Sequence, residues 1–294
     1  MTTTGKKVAA GKPAAVPETE VAAVEETPKR FSLTMAERGP VLPVGVKLPS
    51  GDLARDIVAR PWKTKDERAL GKLKKPNMSM AGYVGTLIGY MFSRLGTNEW
   101  QPDSPPMPER LVMINQMYMA DVFYAYMWLR REVIGNELHM NVECPSCKKG
   151  FRFEGDLGST MVQCVHDVNG LDQTYTLKDP ISVRKKNVTV FRMRPPRWGA
   201  LNIKDGEALN EATAKIATIR SSIVGLNDDP NEVTLTDDEL DELSKKDLEG
   251  ISALLNNDYL GPRMVVEGDC PRCEAPFKQM IDWSYGGFFT SSSV

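Results

Sequence analysis

The segment "ECPSCKKGF", from Glu143 to Phe151, returns near the other end of the chain as "DCPRCEAPF", from Asp269 to Phe277. Each copy holds two cysteines with a proline directly after the first, and an aromatic residue follows four positions after the second. That is the pattern of a zinc knuckle, in which a tight turn aims two thiolates at one point and proline helps fix the turn. One such pair supplies only half of a tetrahedral site. Shifting the chain by 126 residues superposes more than the knuckles. It lays Asp121 on Asp247, Leu129 on Leu255, Gly135 on Gly261, Cys144 on Cys270, Pro145 on Pro271, Cys147 on Cys273, Phe151 on Phe277 and Asp156 on Asp282, without a gap. Chance recurrence of CPxC does not require a helix, a glycine, a knuckle and an aromatic residue to keep one register, whereas duplication of a module does.

Further upstream, "KDERAL" (Lys65 to Leu70) matches "KDGEAL" (Lys204 to Leu209) at an offset of 139, with Trp62 and Trp198 preceding them. The first copy therefore carries 13 more residues between these landmarks, assigned mainly to the Pro-rich "GTNEWQPDSPPMPER" from Gly96 to Arg110. The expected fold is α+β, with two tandem copies of a strand–helix–helix–zinc-knuckle module at 44–160 and 180–285, related by a pseudo-twofold axis. A tail at 1–35 precedes them. Its first thirty residues are mostly Ala, Val, Thr, Glu, Lys and Pro with no aromatic residue, too little apolar surface to offset ordering, so the tail is expected to be disordered.

Extended segments open each module: "VGVKLPSG" in the first and "ISVRKKNVTVFRMRPP" in the second have the β-branched alternation of strands. Helices follow. "SMAGYVGTLIGYMFSRL" and "EALNEATAKIATIRSSIVGL" have helical spacing, and two longer helices each end at a glycine suited to a C-terminal cap. One runs from about Leu111 to Ile134; the other begins at Thr236, which forms a capping-box pattern with Glu239. The first of these is apolar almost all round, so one face cannot account for it. It is a core helix or a contact for a protein partner through Met117, Phe123, Tyr124, Met127 and Trp128, since Met-rich aromatic surfaces adapt well to partners.

The chain has no basic start followed by an apolar block and no run of about 18 apolar residues. An intracellular protein without a membrane span is expected, and in a reducing compartment paired cysteines hold metal or do redox work. The reading that uses both knuckles is one structural Zn2+ ligated by Cys144, Cys147, Cys270 and Cys273, with no coordination position left for water. Three alternatives stay open. A local site from Cys144, Cys147, Cys164 and His166 would orphan the second knuckle; a CxxC thiol oxidoreductase would want a βαβ context that neither copy shows; and the knuckles could merely pack or cross-link.

A formal charge of -2 with 26% charged residues does not advertise a nucleic-acid binder. Yet Arg184, Lys185, Lys186, Arg192, Arg194 and Arg197 fall in one stretch without an acid. Arg192, Arg194 and Arg197 are the candidate anion contacts, and a zinc-ribbon nucleic-acid binder is the corresponding alternative function. The run from Asp228 to Gly250, with ten acids against two bases, would serve equally well as an internal salt partner. It lacks the glycine and ligand spacing of a calcium loop. No phosphate loop, dinucleotide fingerprint or nucleophile elbow is present, so an enzyme is poorly supported and no small-molecule substrate is expected.

The order "LPSGDLARDIVARPWKTKDERAL", paired helices, then "VECPSCKKGFRFEGDL" resembles the baseplate hub assembly proteins of T-even-type contractile-tailed phages, whose relatives accompany contractile injection systems. The matching positions are Leu48, Pro49, Ser50 and Gly51, then Asp66, Glu67 and Leu70, then Cys144, Cys147 and Asp156. The second copy lacks the LPSG opening and has Gly206 where Glu67 stands, while "IDWSYGGFF" resembles the family's aromatic close. The resemblance implies a non-enzymatic assembly factor or chaperone. Its partners would be tail, hub or tape-measure proteins, and it would act in the cytoplasm of the producing cell or in the tail particle.

Overall fold

The computed structural model describes residues 30–48, 50–73, 78–101, 104–168, 171–201, 211–229, 231, 233–257, 259–282 and 288. It is a mixed α+β structure of small antiparallel sheets and helices. The N-terminal part runs β1 (Arg30–Thr34), α1 (Met35–Arg38), β2 (Val41–Lys47), β3 (Leu53–Ala59), α2 (Thr64–Leu73), α3 (Met80–Met91), β4 (Phe92–Leu95) and β5 (Asn98–Glu99). It continues through α4 (Met107–Gln116), α5 (Met119–Val133), β6 (Glu137–Glu143), β7 (Gly150–Asp156) and β8 (Met161–Val165). The C-terminal part runs β9 (Gln173–Val183), β10 (Lys186–Met193), α6 (Glu211–Ser222), β11 (Ile223–Leu226), α7 (Asp237–Asp241), α8 (Lys245–Asn257), β12 (Gly261–Pro262), β13 (Val265–Asp269) and β14 (Pro276–Met280).

Strands β2–β3–β4–β5 form one sheet, β9–β10–β11 another, β1–β8–β12 a third, and β6–β7 and β13–β14 are two-stranded hairpins. In each part a helix passes without a break into the third strand of its sheet, α3 into β4 and α6 into β11. Sequence explains the packing of α3. Ser79 accepts the Gly82 N–H at 3.0 Å and starts the helix. On its interior face a Cβ on Gly89 would lie 3.1 Å from the Met107 sulfur and 3.2 Å from Ile114 Cδ1, so the absence of a side chain lets α4 approach closely.

The expected continuous helix from Leu111 to Ile134 is instead two, α4 and α5, separated by extended Met117 and Tyr118. Distant backbone takes over the hydrogen bonds at the break: the Trp198 N–H donates to Met117 O at 2.8 Å, and the Met119 N–H donates to Pro196 O at 3.0 Å. The acidic helix also divides, into α7 and α8, because Ser244 caps the second piece by accepting the Asp247 N–H at 3.2 Å.

Two cores result. The larger gathers β2–β4, α3 and α5, with Trp198, Ile281 and Phe288 arriving from later in the chain. The second lies between β9–β11 and the helices α6, α7 and α8. Met117, Tyr124, Met127 and Trp128 are buried in the first core and Phe123 packs against it. Met117, Tyr124, Met127 and Trp128, considered as a partner surface, are spent on the chain's own interior, while the partly buried Phe123 also lines a surface cleft. The expected tail at 1–35 also changes. Residues 1–29 lie outside the described residues, but Arg30–Thr34 pairs with β8, and Thr34 forms a capping box with Glu37 at the start of α1.

Candidate metal centre

Each knuckle is the turn of an antiparallel hairpin. The β6–β7 register runs from Glu137↔Asp156 to Glu143↔Gly150, and the β13–β14 register from Val265↔Met280 to Asp269↔Pro276. The two turns are closed by the same bonds. The Cys144 N–H donates to Lys149 O at 3.1 Å and the Lys148 N–H to Cys144 O at 3.0 Å; the Cys270 N–H donates to Ala275 O and the Glu274 N–H to Cys270 O, both at 2.9 Å. Lys148 and Glu274 each hold φ at 57°, a left-handed conformation that costs a non-glycine residue about 1 kcal/mol. The turns are thus strained at the same place.

The hairpins meet face to face. Cys144 Sγ lies 3.6 Å from Cys273 Sγ, Cys147 Sγ lies 3.9 Å from Cys270 Sγ, and all four sulfurs fall within 4.8 Å of one another. Ligation at about 2.3 Å around a tetrahedral zinc places sulfurs about 3.8 Å apart, whereas a disulfide needs about 2.05 Å. All four cysteines are free thiols. The Phe277 ring contacts Phe151 edge-on at 5.1 Å and Phe153 at 5.7 Å, bracing the hairpins beside the sulfurs.

Electrostatics favour a cation here. The Cys147 N–H aimed at its sulfur is the main cause that lowers the Cys144 pKa to about 6. At Cys273 the Ala275 N–H favours the thiolate, but desolvation and the neighbouring Cys144, Cys147 and Cys270 thiols outweigh it and push the pKa up to about 11. Four thiolates cannot share so small a space unless positive charge compensates them. A bound Zn2+ would supply that charge, and the donor set is the all-sulfur one of structural zinc. Arg130, buried near the root of the first hairpin, donates to Gly135 O and Glu137 O and to Phe288 O at 3.1 Å.

The other sequence candidates lie elsewhere. Cys164 is buried in the main core with its sulfur 3.6 Å from Val162 O, and His166 stacks on Phe31 at 4.2 Å. Neither joins the thiol cluster, so the local Cys144–Cys147–Cys164–His166 site is not assembled. Arg194 forks onto Asp172 at 2.8 and 3.1 Å, Arg192 Nε lies 3.9 Å from Asp172, and Arg197 donates to Gln116 O at 3.4 Å. Arg184 pairs with Glu239 at 3.3 Å and Lys186 with Asp229 at 3.4 Å, so the basic and acidic runs meet each other.

Two residues that the 126-residue shift aligned without assigning a role now have one. Asp121 and Asp247 are both fully buried. Asp121 accepts the N–H groups of Val44 and Gly45 at 2.8 and 3.0 Å; Asp247 accepts those of Lys178 and Asp179 at 2.8 and 3.3 Å. Each carboxylate ties the start of a helix to the first strand of its sheet. Burial raises the Asp121 pKa to about 7 despite its two N–H donors. Burial also opposes charge on Asp247, but the Lys178 N–H, the Ser244 hydroxyl, the Asp179 N–H and the Tyr175 hydroxyl together hold its pKa below the usual carboxylate value.

A family model described as T4 bacteriophage base plate protein matches residues 42–281. No curated protein and no solved structure matches the chain. The matched span runs from the first strand of the β2–β5 sheet through both cysteine hairpins, and the chain belongs to the T4 bacteriophage base plate protein family.

Proposed function

We propose that this protein is a non-enzymatic assembly component of a contractile-tail baseplate, of the hub-assembly kind, built from two copies of one module that a single structural zinc joins. The observation that carries this reading is the convergence of Cys144, Cys147, Cys270 and Cys273 from two hairpins far apart in sequence into one cluster. Duplication is further supported by repeated long-range bonds. Besides the paired aspartates, the Arg60 N–H donates to Met91 O at 2.8 Å as the Arg194 N–H does to Ser222 O at 2.7 Å. The Gly96 N–H donates to Asp56 O as the Asn227 N–H does to Val190 O, both at 2.7 Å, and Gly96 and Asn227 both have positive φ.

A zinc staple suits an assembly protein because metal binding is also folding energy, fixing the relative position of the two halves before partners engage. The partners would be hub, tail-tube or tape-measure proteins, in the producing cell or in the tail particle. No helix among the described residues is long and apolar enough to cross a membrane. The test is purification of the affinity-tagged full chain from cells producing tails. Co-purification of defined baseplate or tape-measure proteins, lost when all four cysteines become serine, is the expected result; wild-type chain recovered without any tail protein overturns the reading.

A further inference from the structure

The junction between the two halves holds a cleft of about 360 Å³ that the zinc staple does not use. Its walls include Tyr118, Phe123, Met193, Tyr259, Met264 and Met280. Arg194, the charged group in the lining, is already forked onto Asp172. The rim carries two of the more exposed large apolar side chains of the described residues, Met280 at 64% and Tyr259 at 40%. Exposed apolar side chains grouped around an apolar cleft mark a contact site more often than a bare surface.

The form of an occupant follows from the strand that borders the cleft. The Cys270 N–H bonds to Ala275 O at one end of the second hairpin, and the Ile281 N–H bonds to Met264 O at the other. Pairs alternate in an antiparallel ladder, so Lys278 and Met280 turn their main-chain N–H and C=O away from β13. Among the described residues β14 has no second neighbouring strand. The Gln279 amide reaches Met280 O at 3.5 Å. Pro276 at the start of β14 has no N–H to offer, which confines further pairing to the end that borders the cleft. A two-stranded hairpin is marginal alone and gains from a third strand. Glu267 Oε1 is shared by Arg263 at 2.9 Å and Lys278 at 3.2 Å, so one carboxylate faces two cations beside this edge.

We propose that an extended, apolar segment of another baseplate subunit adds to the Lys278–Met280 edge of β14 and places its side chains in this cleft. The mode is strand addition, with main-chain bonds giving affinity and the cleft selecting the side chains. This inference rests on the assembly role proposed above.

Replacement of Met280 by a photo-cross-linking benzoylphenylalanine in the full chain, expressed during tail production, tests it. The expected product is a covalent link to an apolar stretch of one other baseplate protein. In the unlabelled chain, Met280→Asp and Tyr259→Asp should each lower recovery of that same protein about tenfold, with zinc content unchanged as the sign of an intact fold. Links to a second copy of this chain, links to its own residues 1–29 or 283–294, or no link in tails that contain the chain would each overturn the docking assignment alone. Failure of the wild-type chain to associate with any tail protein would overturn the assembly role and this inference together.

Discussion

Helices α5 and α8, which the 126-residue shift matches, differ in what they do with the corresponding face. On α5, Phe123 packs edge-on against Trp198 at 5.3 Å, and the Trp198 indole donates to Ala81 O at 3.2 Å. The 126-residue shift places Glu249 of α8 at the position of Phe123, and Glu249 instead pairs with Lys215 at 2.9 Å. The first half thus presents an apolar seat that receives a segment of the second, while the matched face of the second half is solvated. Similarly, Tyr118 stands where Ser244 stands, and Asp121 lacks the hydroxyl donor that Ser244 gives Asp247. On the duplication proposed above, a few side chains make one scaffold dry or wet, and its buried carboxylate neutral or charged.

The largest expected effect on this contrast comes from the matched tryptophans. Trp198→Ala should destabilise by about 3–5 kcal/mol, since the indole is fully buried. Trp62, half-buried with its indole donating to Glu67 at 3.1 Å, should cost about 1 kcal/mol as Ala. Urea unfolding of both variants measures the gap, and equal losses would mean that the halves are packed alike.

The aligned glycines Gly135 and Gly261 give the next contrast. Gly135 and Gly261 hold φ at 119° and 94°, but an added Cβ meets nothing within 4 Å at Gly135, whereas at Gly261 it would lie 2.8 Å from Ala120 Cα. Gly135→Ala should cost about 1–2 kcal/mol from backbone strain alone. Gly261→Ala should cost more and weaken the β12–β8 pairing, visible as faster amide exchange in β8.

The aspartates differ in pH dependence. Asp121 keeps its proton to about pH 7 in the fold, against an ordinary value of 3.8. Its contribution is full below the unfolded pKa and declines as pH rises towards about 7. Asp247, lowered below 3.8, contributes stability above that value that is lost as pH falls through its folded pKa. Asp121→Asn should therefore flatten the decline in melting temperature between about pH 4 and pH 7, leaving the acid limb intact. A parallel decline in wild type and variant would assign the titration elsewhere. Smallest of all, Lys215→Ala should change stability by less than about 1 kcal/mol, because the Lys215–Glu249 pair is partly solvated.

Sequence disclosed the features whose backbone demands particular residues. The hairpin turns carry their cysteines at matching positions, Gly135 follows α5 with positive φ, and the shift that aligned these also aligned the two buried aspartates; Gly261, expected to cap a helix, lies instead in β12 beyond the end of α8. Its blind spots were long-range. Nothing local marks the break at Met117–Tyr118, because the bonds that satisfy it come from Pro196 and Trp198. An all-round apolar helix looks the same whether a partner or the chain's own sheet covers it, so α5 could not be assigned beforehand. The short β1 strand depends on pairing with β8 over a hundred residues away. Asp229 and Glu239 come from the acidic run already readable as a salt partner for the basic one, whereas nothing local marked Asp172 as the partner of Arg194. Ser244 with Asp247 was a readable cap signal inside a run dominated by charge.

The decisive measurement is zinc per chain in purified, reduced protein, made alongside two double variants, Cys144→Ser with Cys147→Ser and Cys270→Ser with Cys273→Ser. The shared site predicts one zinc per wild-type chain, lost to the same extent from either variant. Zinc retained by one variant, or no zinc in the wild-type chain, would contradict a staple that draws half its ligands from each hairpin.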